Sequence, residues 1–151
     1  MLPPSAHRVP LNTGDSVNEE IRRQAIRDLE RYVEADRDEL AWRLQELDRE
    51  WDVERAIEAN ASSLALVGLL LGLLVTPWFL LLPGLVASFL LQHALQGWCP
   101  PVPVLRRFGF RTRREIDSER YVLKYLRGDF KGLKDDHGRP NIAKLYDQAS
   151  R

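Results

Sequence analysis

The longest apolar stretch of the chain runs from Ala61 to Trp98 and contains no Asp, Glu, Lys or Arg. One membrane-spanning helix needs about 20 apolar residues, so this charge-free run is long enough for two. Pro77 lies near its middle, where a proline is well suited to a turn between helices. The pattern therefore predicts a transmembrane helical hairpin over residues 59–99, with spans at about 60–75 and 78–98.

Amphipathic periodicity is found on both sides of this hairpin. Apolar residues recur at helical spacing within 16–58, which predicts an acidic amphipathic helix, either continuous or broken near 34–39 into a pair. A basic amphipathic helix is predicted over 113–128, where Gly128 provides a stop. The predicted fold class is an all-α membrane protein, in which a two-helix transmembrane hairpin is flanked by cytoplasmic amphipathic helices.

The remaining segments have weaker patterns. Residues 1–15 are rich in proline and lack an apolar period, which predicts a disordered or irregular lead. Residues 100–112 carry three prolines within four positions and then several arginines, so we expect an extended Pro/Arg segment at the membrane interface. Residues 129–151 form a polar tail, with a turn at 137–140, a solvated His137 and one short terminal helix.

Charge is distributed unevenly, although the chain is neutral overall. Residues 15–58 carry fifteen acidic and eight basic side chains, whereas residues 100–134 carry ten basic and four acidic ones. The central turn of the hairpin has no basic residue, so the positive-inside rule predicts that both termini are cytoplasmic. Nucleic-acid binding is disfavoured because the chain is neutral and has no recognised motif.

Small and polar residues inside the hairpin are the candidates for helix packing. Small residues let helices approach closely in a membrane, where burial of apolar surface no longer drives association. The stripe on the first span faces either the second span or another copy, and we favour the second span because the hairpin supplies that partner at high effective concentration. The candidate residues are Ala61, Ala65, Gly68 and Gly72 on the first span, and Gly84, Ser88, Gln92, His93 and Gln96 on the second.

His93 and Cys99 are the candidates for chemistry. An ionisable side chain within a span is a functional hypothesis by default, so His93 either ligates a haem or metal in an oligomer or forms hydrogen bonds between helices. The interhelical role is favoured because no second ligand lies at suitable spacing. Cys99 is either a buried structural residue, which we favour, or a redox-active or persulfide-accepting thiol activated by nearby arginines.

Two sets of residues are candidates for contacts with lipids or partners. The arginines after Cys99 bind either anionic lipid headgroups, which we favour, or the acidic N-terminal helix. The leucine seam of residues 40–51 packs on its own protein or on the membrane surface, or else forms a dimerising coiled coil. The first set is Arg106, Arg107, Arg111, Arg113 and Arg114, and the second is Leu40, Leu44, Leu47 and Trp51.

The end of the second span has a distinctive sequence. Gly97, Trp98, Cys99 and Pro100 are followed by Leu105, Gly109 and Thr112. This pattern resembles the YgaP-like transmembrane domain family of bacterial inner-membrane proteins over about residues 54–112. The resemblance implies a multi-pass anchor in a bacterial inner membrane. Some members of that family are fused to a sulfur-transferring rhodanese domain, for which this chain has neither the length nor a second cysteine.

No catalytic signature is present, because the chain has no Gly-rich phosphate loop, no plausible triad and no His/Cys cluster at metal-ligand spacing. We therefore expect an anchor or accessory subunit of a homo-oligomer or a larger membrane complex, with no enzyme activity and no cofactor. The first alternative is a redox or sulfur-handling membrane protein that uses Cys99. The second alternative is a protein that binds anionic lipids and shapes the membrane.

Overall fold

The computed structural model describes residues 3–4, 6–134 and 139–150. Within these residues the chain is helical and has no β-strand. The elements are α1 (Arg8–Leu11), α2 (Asp15–Glu30), α3 (Arg37–Arg49), α4 (Val53–Leu74), a 3₁₀ helix (Pro77–Leu80), α5 (Leu81–Gln96), α6 (Pro101–Arg107), α7 (Arg113–Arg127) and α8 (Ile142–Ser150). The prediction of an all-α chain is confirmed.

The chain divides into two compact units, each with its own core. The hairpin unit comprises Met1–Arg22 and Trp51–Arg114, and the flanking unit comprises Arg23–Glu50 and Glu115–Arg151. The N-terminal and C-terminal parts of the chain therefore each contribute to both units.

Helices α4 and α5 form the hairpin. Asp52 caps α4, since its Oδ1 accepts a hydrogen bond of 2.7 Å from the backbone N–H of Arg55. Thr76 is extended, and Pro77 occupies the first position of the 3₁₀ helix that leads directly into α5. Proline is well tolerated there because its missing N–H would have no partner within the helix.

Two helical stretches are long and apolar enough to cross a membrane. The first is the apolar part of α4 (Val53–Leu74), and the second runs over Pro77–Gln96. The large side chains of the hairpin are mostly exposed, including Leu66, Leu70, Leu73, Leu74, Trp78, Leu81, Leu85 and Leu91. Exposed apolar surface of this extent is typical of a membrane or protein contact. The presence of two such helices is confirmed, and they indicate membrane association.

The hairpin unit has a core at the charged end of the two helices. Val9 is buried there with Val53, Ile57, Cys99 and Val102. The described part of the predicted disordered or irregular lead over residues 1–15 includes α1 and buries Val9, so the disordered alternative is wrong for that part. A four-residue helix has too few apolar positions to show a period, and contacts distant in the sequence hold it in place.

The prediction of an extended segment over residues 100–112 is also wrong. Pro101 and Pro103 lie in the first turn of α6, and Pro100 precedes it. Prolines in a first turn cost little, because the N–H groups of that turn have no partner within the helix. Gly109, with φ of 86°, then lies just beyond the end of α6.

The flanking unit has its own apolar core. Leu40, Leu44 and Leu47 of α3 pack with Ile116 and Leu123 of α7. Asp36 caps α3, because its Oδ1 accepts hydrogen bonds of 2.9 Å from the N–H groups of Asp38 and Glu39. The sequence 16–58 thus contains α2, α3 and the start of α4 rather than one continuous helix.

Two ion pairs connect α3 and α7 within the flanking unit, and the first of them is buried. Arg43 Nε donates a hydrogen bond of 2.9 Å to Glu119 Oε1, and Glu119 is almost completely buried. Asp48 Oδ1 lies 2.9 Å from Arg120 Nη2. The C-terminal segment ends in α8, whereas His137 and part of the predicted turn at 137–140 lie outside the described residues.

Candidate functional site

His93 of α5 is the most unusual polar group of the hairpin unit. Its side chain is buried, with 6% of its surface exposed. Neither Nδ1 nor Nε2 has a hydrogen-bond partner among the described residues. Arg8 of α1 and Glu58 of α4 are the charged side chains whose electrostatic field acts on the ring. A buried imidazole without partners is costly, so this position is a candidate for a bound water or small ligand.

Helix α1 covers the carboxyl end of α5. Arg8 Nη1 donates a hydrogen bond of 3.1 Å to the carbonyl oxygen of Ala94. Asn12 Nδ2 donates to the carbonyl oxygens of Gln96, at 2.7 Å, and Arg8, at 2.8 Å. The last carbonyls of a helix have no partner within it, and the helix dipole favours a cation beside them. The N-terminal segment therefore completes the end of the second apolar helix.

A second polar cluster joins α2, α4 and α6. Arg106 is 1% exposed, and its Nη2 donates a hydrogen bond of 2.9 Å to Asn18 Oδ1. Its Nη1 donates one of 3.0 Å to the carbonyl oxygen of Phe110. Burial raises the pKa of Glu54, although its own backbone N–H and the charges of Arg8 and Arg106 act in the opposite direction. These residues form a buried network at the base of the hairpin.

The raised pKa of Glu54 predicts a pH-dependent stability. The folded state holds the proton of Glu54 more tightly than the unfolded chain does, so the stabilising contribution is complete below the unfolded pKa. It is lost as the pH rises through the raised pKa of the folded state. We therefore expect the melting temperature of the hairpin unit to depend less on pH in Glu54→Gln than in the wild type.

The measurement is thermal unfolding of the full chain in detergent micelles across the acidic range. Glu34→Gln is the control, because Glu34 is exposed and lies in the flanking unit. If the melting temperature changes equally with pH in the wild type and in Glu54→Gln, the carboxyl group of Glu54 contributes nothing to the pH dependence of stability.

Cys99 belongs to the hairpin core and is 2% exposed. Burial raises the pKa of its thiol, despite a backbone hydrogen bond involving Val102 that acts in the opposite direction. The idea that neighbouring arginines activate this thiol is therefore not supported, because a reactive cysteine needs a lowered pKa and access to solvent. The environment of Cys99 fits a structural residue.

An apolar groove of about 250 Å³ lies beside Cys99. Helices α4 and α5 form its walls, and Pro100 and Pro101 line it at the level of Cys99. Asn60 is the only polar side chain in a lining of otherwise apolar residues, apart from the thiol itself. The groove therefore has few groups that could orient a polar substrate.

The glycines of the first apolar helix face the second. A Cβ at Gly68 would lie 2.7 Å from Pro83 Cδ, and a Cβ at Gly72 would lie 2.5 Å from Leu80 Cδ2. Ala61 is buried and Ala65 is half-buried. Gly84 differs, because a Cβ there would have no described neighbour within 4 Å. Within this chain the first stripe packs against the second helix, whereas Gly84 does not take part.

The other polar candidates of the second span are less buried than His93. Ser88 Oγ donates a hydrogen bond of 2.9 Å to the carbonyl oxygen of Gly84 in its own helix. Gln92 is half-buried, and the side chain of Gln96 is exposed. The structure therefore gives Ser88 a hydrogen bond within α5 rather than one between helices.

Substitutions at Gly68 and Gly84 should differ in their effects. We expect Gly68→Ala to lower the free energy of unfolding by about 1–3 kcal/mol, because the added methyl group overpacks the contact with Pro83. Gly84→Ala should change it by less than about 1 kcal/mol, because the added methyl group meets open space. The measurement is equilibrium unfolding in mixed micelles. Equal effects of the two substitutions would contradict close packing at Gly68.

The proposed contact residues separate into buried and exposed groups. Arg106 and Arg111 are buried in the hairpin unit, which disfavours the lipid alternative for them. Arg106 instead donates to Asn18 of α2, in agreement with the alternative of contact with the acidic N-terminal helix. Leu40, Leu44 and Leu47 are buried in the flanking unit, where α7 of the same chain occupies the seam expected for a coiled coil. The side chains that remain exposed are Arg107, Arg113, Arg114 and Trp51.

Two of these exposed side chains contact others in the hairpin unit. Arg55 lies over the ring of Trp51, with its guanidinium carbon 4.4 Å from the ring centroid. Arg114 contacts the ring nitrogens of His7. Both contacts leave the aromatic and guanidinium groups at the surface, where partners or headgroups can reach them.

Among residues 3–4, 6–134 and 139–150, no group of three or more His, Cys, Asp or Glu side chains is placed to hold a metal ion. Comparison of the chain with protein-family models, curated proteins and solved structures found no match.

The sequence pattern does not single out Arg8, Asn12, Asn18 or Glu54 as functional residues. The first three lie in segments of low apolar content, and their roles depend on contacts 84 to 88 residues away along the chain. The sequence shows Gly97 at the end of the second span, but it does not show that Gly97 lies in close contact with Arg8.

Proposed function

We propose that this chain is a small integral membrane protein that acts as an anchor or accessory subunit rather than as an enzyme. In this proposal α4 and α5 hold the protein in a bacterial inner membrane, with both termini in the cytoplasm. The flanking unit presents a surface to a second copy or to a larger membrane complex.

The exposed face of α7 is the observation that carries this proposal. Tyr121, Val122 and Tyr125 are exposed, while Ile116 and Leu123 of the same helix fill the core. Helix α7 is thus apolar on two faces, and its own chain covers only one of them in the described residues. Exposed aromatic residues are enriched at protein interfaces, where they contribute much of the binding energy.

The buried state of Cys99 supports this proposal over the redox alternative. A thiol that is buried and has a raised pKa is poorly suited to nucleophilic chemistry. The apolar groove beside it offers no cluster of polar groups for a reaction. A redox or sulfur-handling function that uses Cys99 is therefore less favoured.

The resemblance of residues 54–112 to the YgaP-like transmembrane domain family is part of the proposal. It rests on Gly97, Trp98, Cys99 and Pro100, with Leu105, Gly109 and Thr112. The close contact of Gly97 with Arg8 and the burial of Cys99 give a packing reason for two of these residues.

The experiment has two steps. Membrane insertion is tested by alkaline carbonate extraction and by reporter fusions at both termini. The accessory role is tested by mild-detergent purification and mass spectrometry, comparing the wild type with a Tyr121→Ser, Tyr125→Ser variant. We expect a stoichiometric partner or a homo-oligomer that the double variant loses, with Tyr146→Ser, another exposed tyrosine, as the control.

Release of the chain by carbonate would contradict the anchoring role. A monomer without partners in both samples would contradict the accessory role. A purified monomer with a modified Cys99 would instead favour the redox alternative.

Exposed residues of the hairpin unit favour a second candidate function, which is binding of anionic lipids. Arg107, Phe108 and Arg113 are exposed near the end of α6, and Phe108 is among the most exposed large apolar residues. Basic residues near a membrane surface each contribute about 1 kcal/mol to binding of anionic lipids. Salt-sensitive enrichment of phosphatidylglycerol around the purified protein, lost in Arg107→Gln, Arg113→Gln, would support this function.

A further inference from the structure

The flanking unit contains a cavity of about 380 Å³ between α3 and α7. Three basic residues of α7 line it at positions that share one helical face: Arg120, Lys124 and Arg127. Two carboxylates, Asp48 and Asp129, also line the cavity. The lining therefore has one excess positive charge, and two of its cations are among the most buried polar residues of the unit.

Lys124 has no carboxylate partner within the described residues. It is 3% exposed, and its Nζ donates hydrogen bonds to the carbonyl oxygens of Gln148, at 3.0 Å, and Ala149, at 3.5 Å. Burial and the charges of Arg120 and Arg127 lower the pKa of Lys124, although Asp129 and Asp48 act in the opposite direction. An anion beside this ammonium group would offset the cost of burying its charge.

Arg120 retains donors that its neighbours do not use. Its Nη2 lies 2.9 Å from Asp48 Oδ1, but the two atoms are misaligned for a hydrogen bond. Its Nε lies 3.8 Å from Asp117 Oδ1 and has no hydrogen-bond partner within the described part of the chain. Both nitrogen atoms are enclosed, so Arg120 brings its positive charge to the wall of the cavity rather than these two donors.

Arg127 is different, because its charge is already paired. Its Nε donates a hydrogen bond of 2.8 Å to Asp129 Oδ1. Arg120 also has the carboxylates of Asp48 and Asp117 beside it, so the excess positive charge of the cavity lies at Lys124. Ala41 and Leu44 provide an apolar wall, and Gln45 and Gln148 provide amide groups.

We propose that this cavity binds a phosphate group carried by a small organic molecule or by a phospholipid headgroup. Lys124 would donate to the phosphate from its ammonium group, and the positive charge of Arg120 in the cavity wall would add to the attraction. The volume exceeds what a phosphate alone requires, and the apolar wall accommodates the attached organic part. The site lies in the flanking unit and does not depend on the anchoring role.

The test is isothermal titration of the full chain in phosphatidylcholine nanodiscs with glycerol 3-phosphate and with inorganic phosphate. We expect saturable binding to the wild type. Lys124→Gln should weaken it by about tenfold or more, because the bound phosphate loses the buried positive charge that pairs with it. Lys144→Gln is the matched control, since Lys144 is an exposed lysine of the same unit outside the cavity. Lys144→Gln should change the affinity by less than about twofold, since exposed charges contribute little to binding.

Gln45→Glu provides a second variant that keeps the buried residues intact. Gln45 is exposed at the cavity, so the substitution adds a negative charge without disturbing the core. It should also weaken binding, and more strongly at low salt. Phosphatidylglycerol nanodiscs distinguish the two sources of phosphate. A reduced apparent affinity for glycerol 3-phosphate in them would identify the headgroup, whereas an unchanged affinity would identify a soluble ligand.

Three results would overturn the proposal. The first is the absence of saturable binding in the wild type. The second is equal affinity in the wild type, Gln45→Glu and those Lys124→Gln samples that retain native helicity. The third is displacement of glycerol 3-phosphate by acetate at equal concentration, which would show that the cavity does not select phosphate.

Discussion

Replacing Gly97 with alanine should destabilise the hairpin unit more than any other glycine substitution considered above. Gly97 has a φ of 77°, and a Cβ at this position would lie 2.4 Å from the carbonyl carbon of Arg8. The left-handed conformation costs about 1–2 kcal/mol for a residue with a side chain, and the overlap with backbone atoms adds about 1–3 kcal/mol. We therefore expect a loss of about 2–5 kcal/mol in the free energy of unfolding.

Gly109→Ala is the matched control for this prediction. Gly109 has a φ of 86°, but a Cβ there would have no described neighbour within 4 Å. Gly109→Ala should therefore lower the free energy of unfolding only by the cost of the left-handed conformation, about 1–2 kcal/mol. The measurement is equilibrium unfolding of both variants in mixed micelles. Equal losses would mean that the contact between α1 and the end of α5 adds nothing to stability.

Replacing Arg106 with methionine should produce the second large effect. The change removes hydrogen bonds to Asn18 Oδ1 and to the carbonyl oxygen of Phe110. It also removes a positive charge that acts on the buried carboxyl of Glu54. Acceptors left without partners cost about 1–3 kcal/mol each, so we expect a loss of about 3 kcal/mol in the free energy of unfolding.

Arg107→Met is the control, because it makes the same chemical change at the next position of α6. Arg107 is exposed, so its replacement should change stability by less than about 0.5 kcal/mol. Arg106→Met should also raise the pKa of Glu54 further, which the pH dependence of the melting temperature would detect. If both variants unfold like the wild type, Arg106 has no structural role at the base of the hairpin.

The two predictions together test the N-terminal segment as part of the hairpin unit. Gly97 contacts Arg8 through the backbone, and Arg106 reaches Asn18 through its side chain. Deletion of residues 1–18 should therefore lower the stability of the unit more than either substitution alone. The same unfolding assay in mixed micelles applies to this truncated chain.

Several features follow from the sequence alone because they depend on local composition. The charge-free run predicts two long apolar helices, since length and hydropathy suffice for that inference. Asp36 predicts a helix start, and its side chain does accept hydrogen bonds from Asp38 and Glu39. A side-chain cap needs only residues two and three positions away, so the sequence contains the required information.

The base of the hairpin was not predictable in this way. Arg8, Asn12 and Asn18 act on residues more than eighty positions away, and nothing in their local sequence indicates those partners. The prolines of residues 100–103 predict an extended segment, because proline breaks a helix interior. The sequence does not show that these prolines lie at the start of α6, where proline is tolerated. Their effect depends on where the helix begins.

By itself, then, the sequence determined the helical class, the two apolar helices, the helix start at Asp36 and the uneven charge, because these are properties of neighbouring residues. Only the tertiary structure decided which charges are buried. Arg106 and Lys124 resemble the exposed basic residues around them in sequence, yet packing encloses both. Burial makes their charges costly, and that cost turns an ordinary arginine into a structural group and an ordinary lysine into part of a candidate binding cavity.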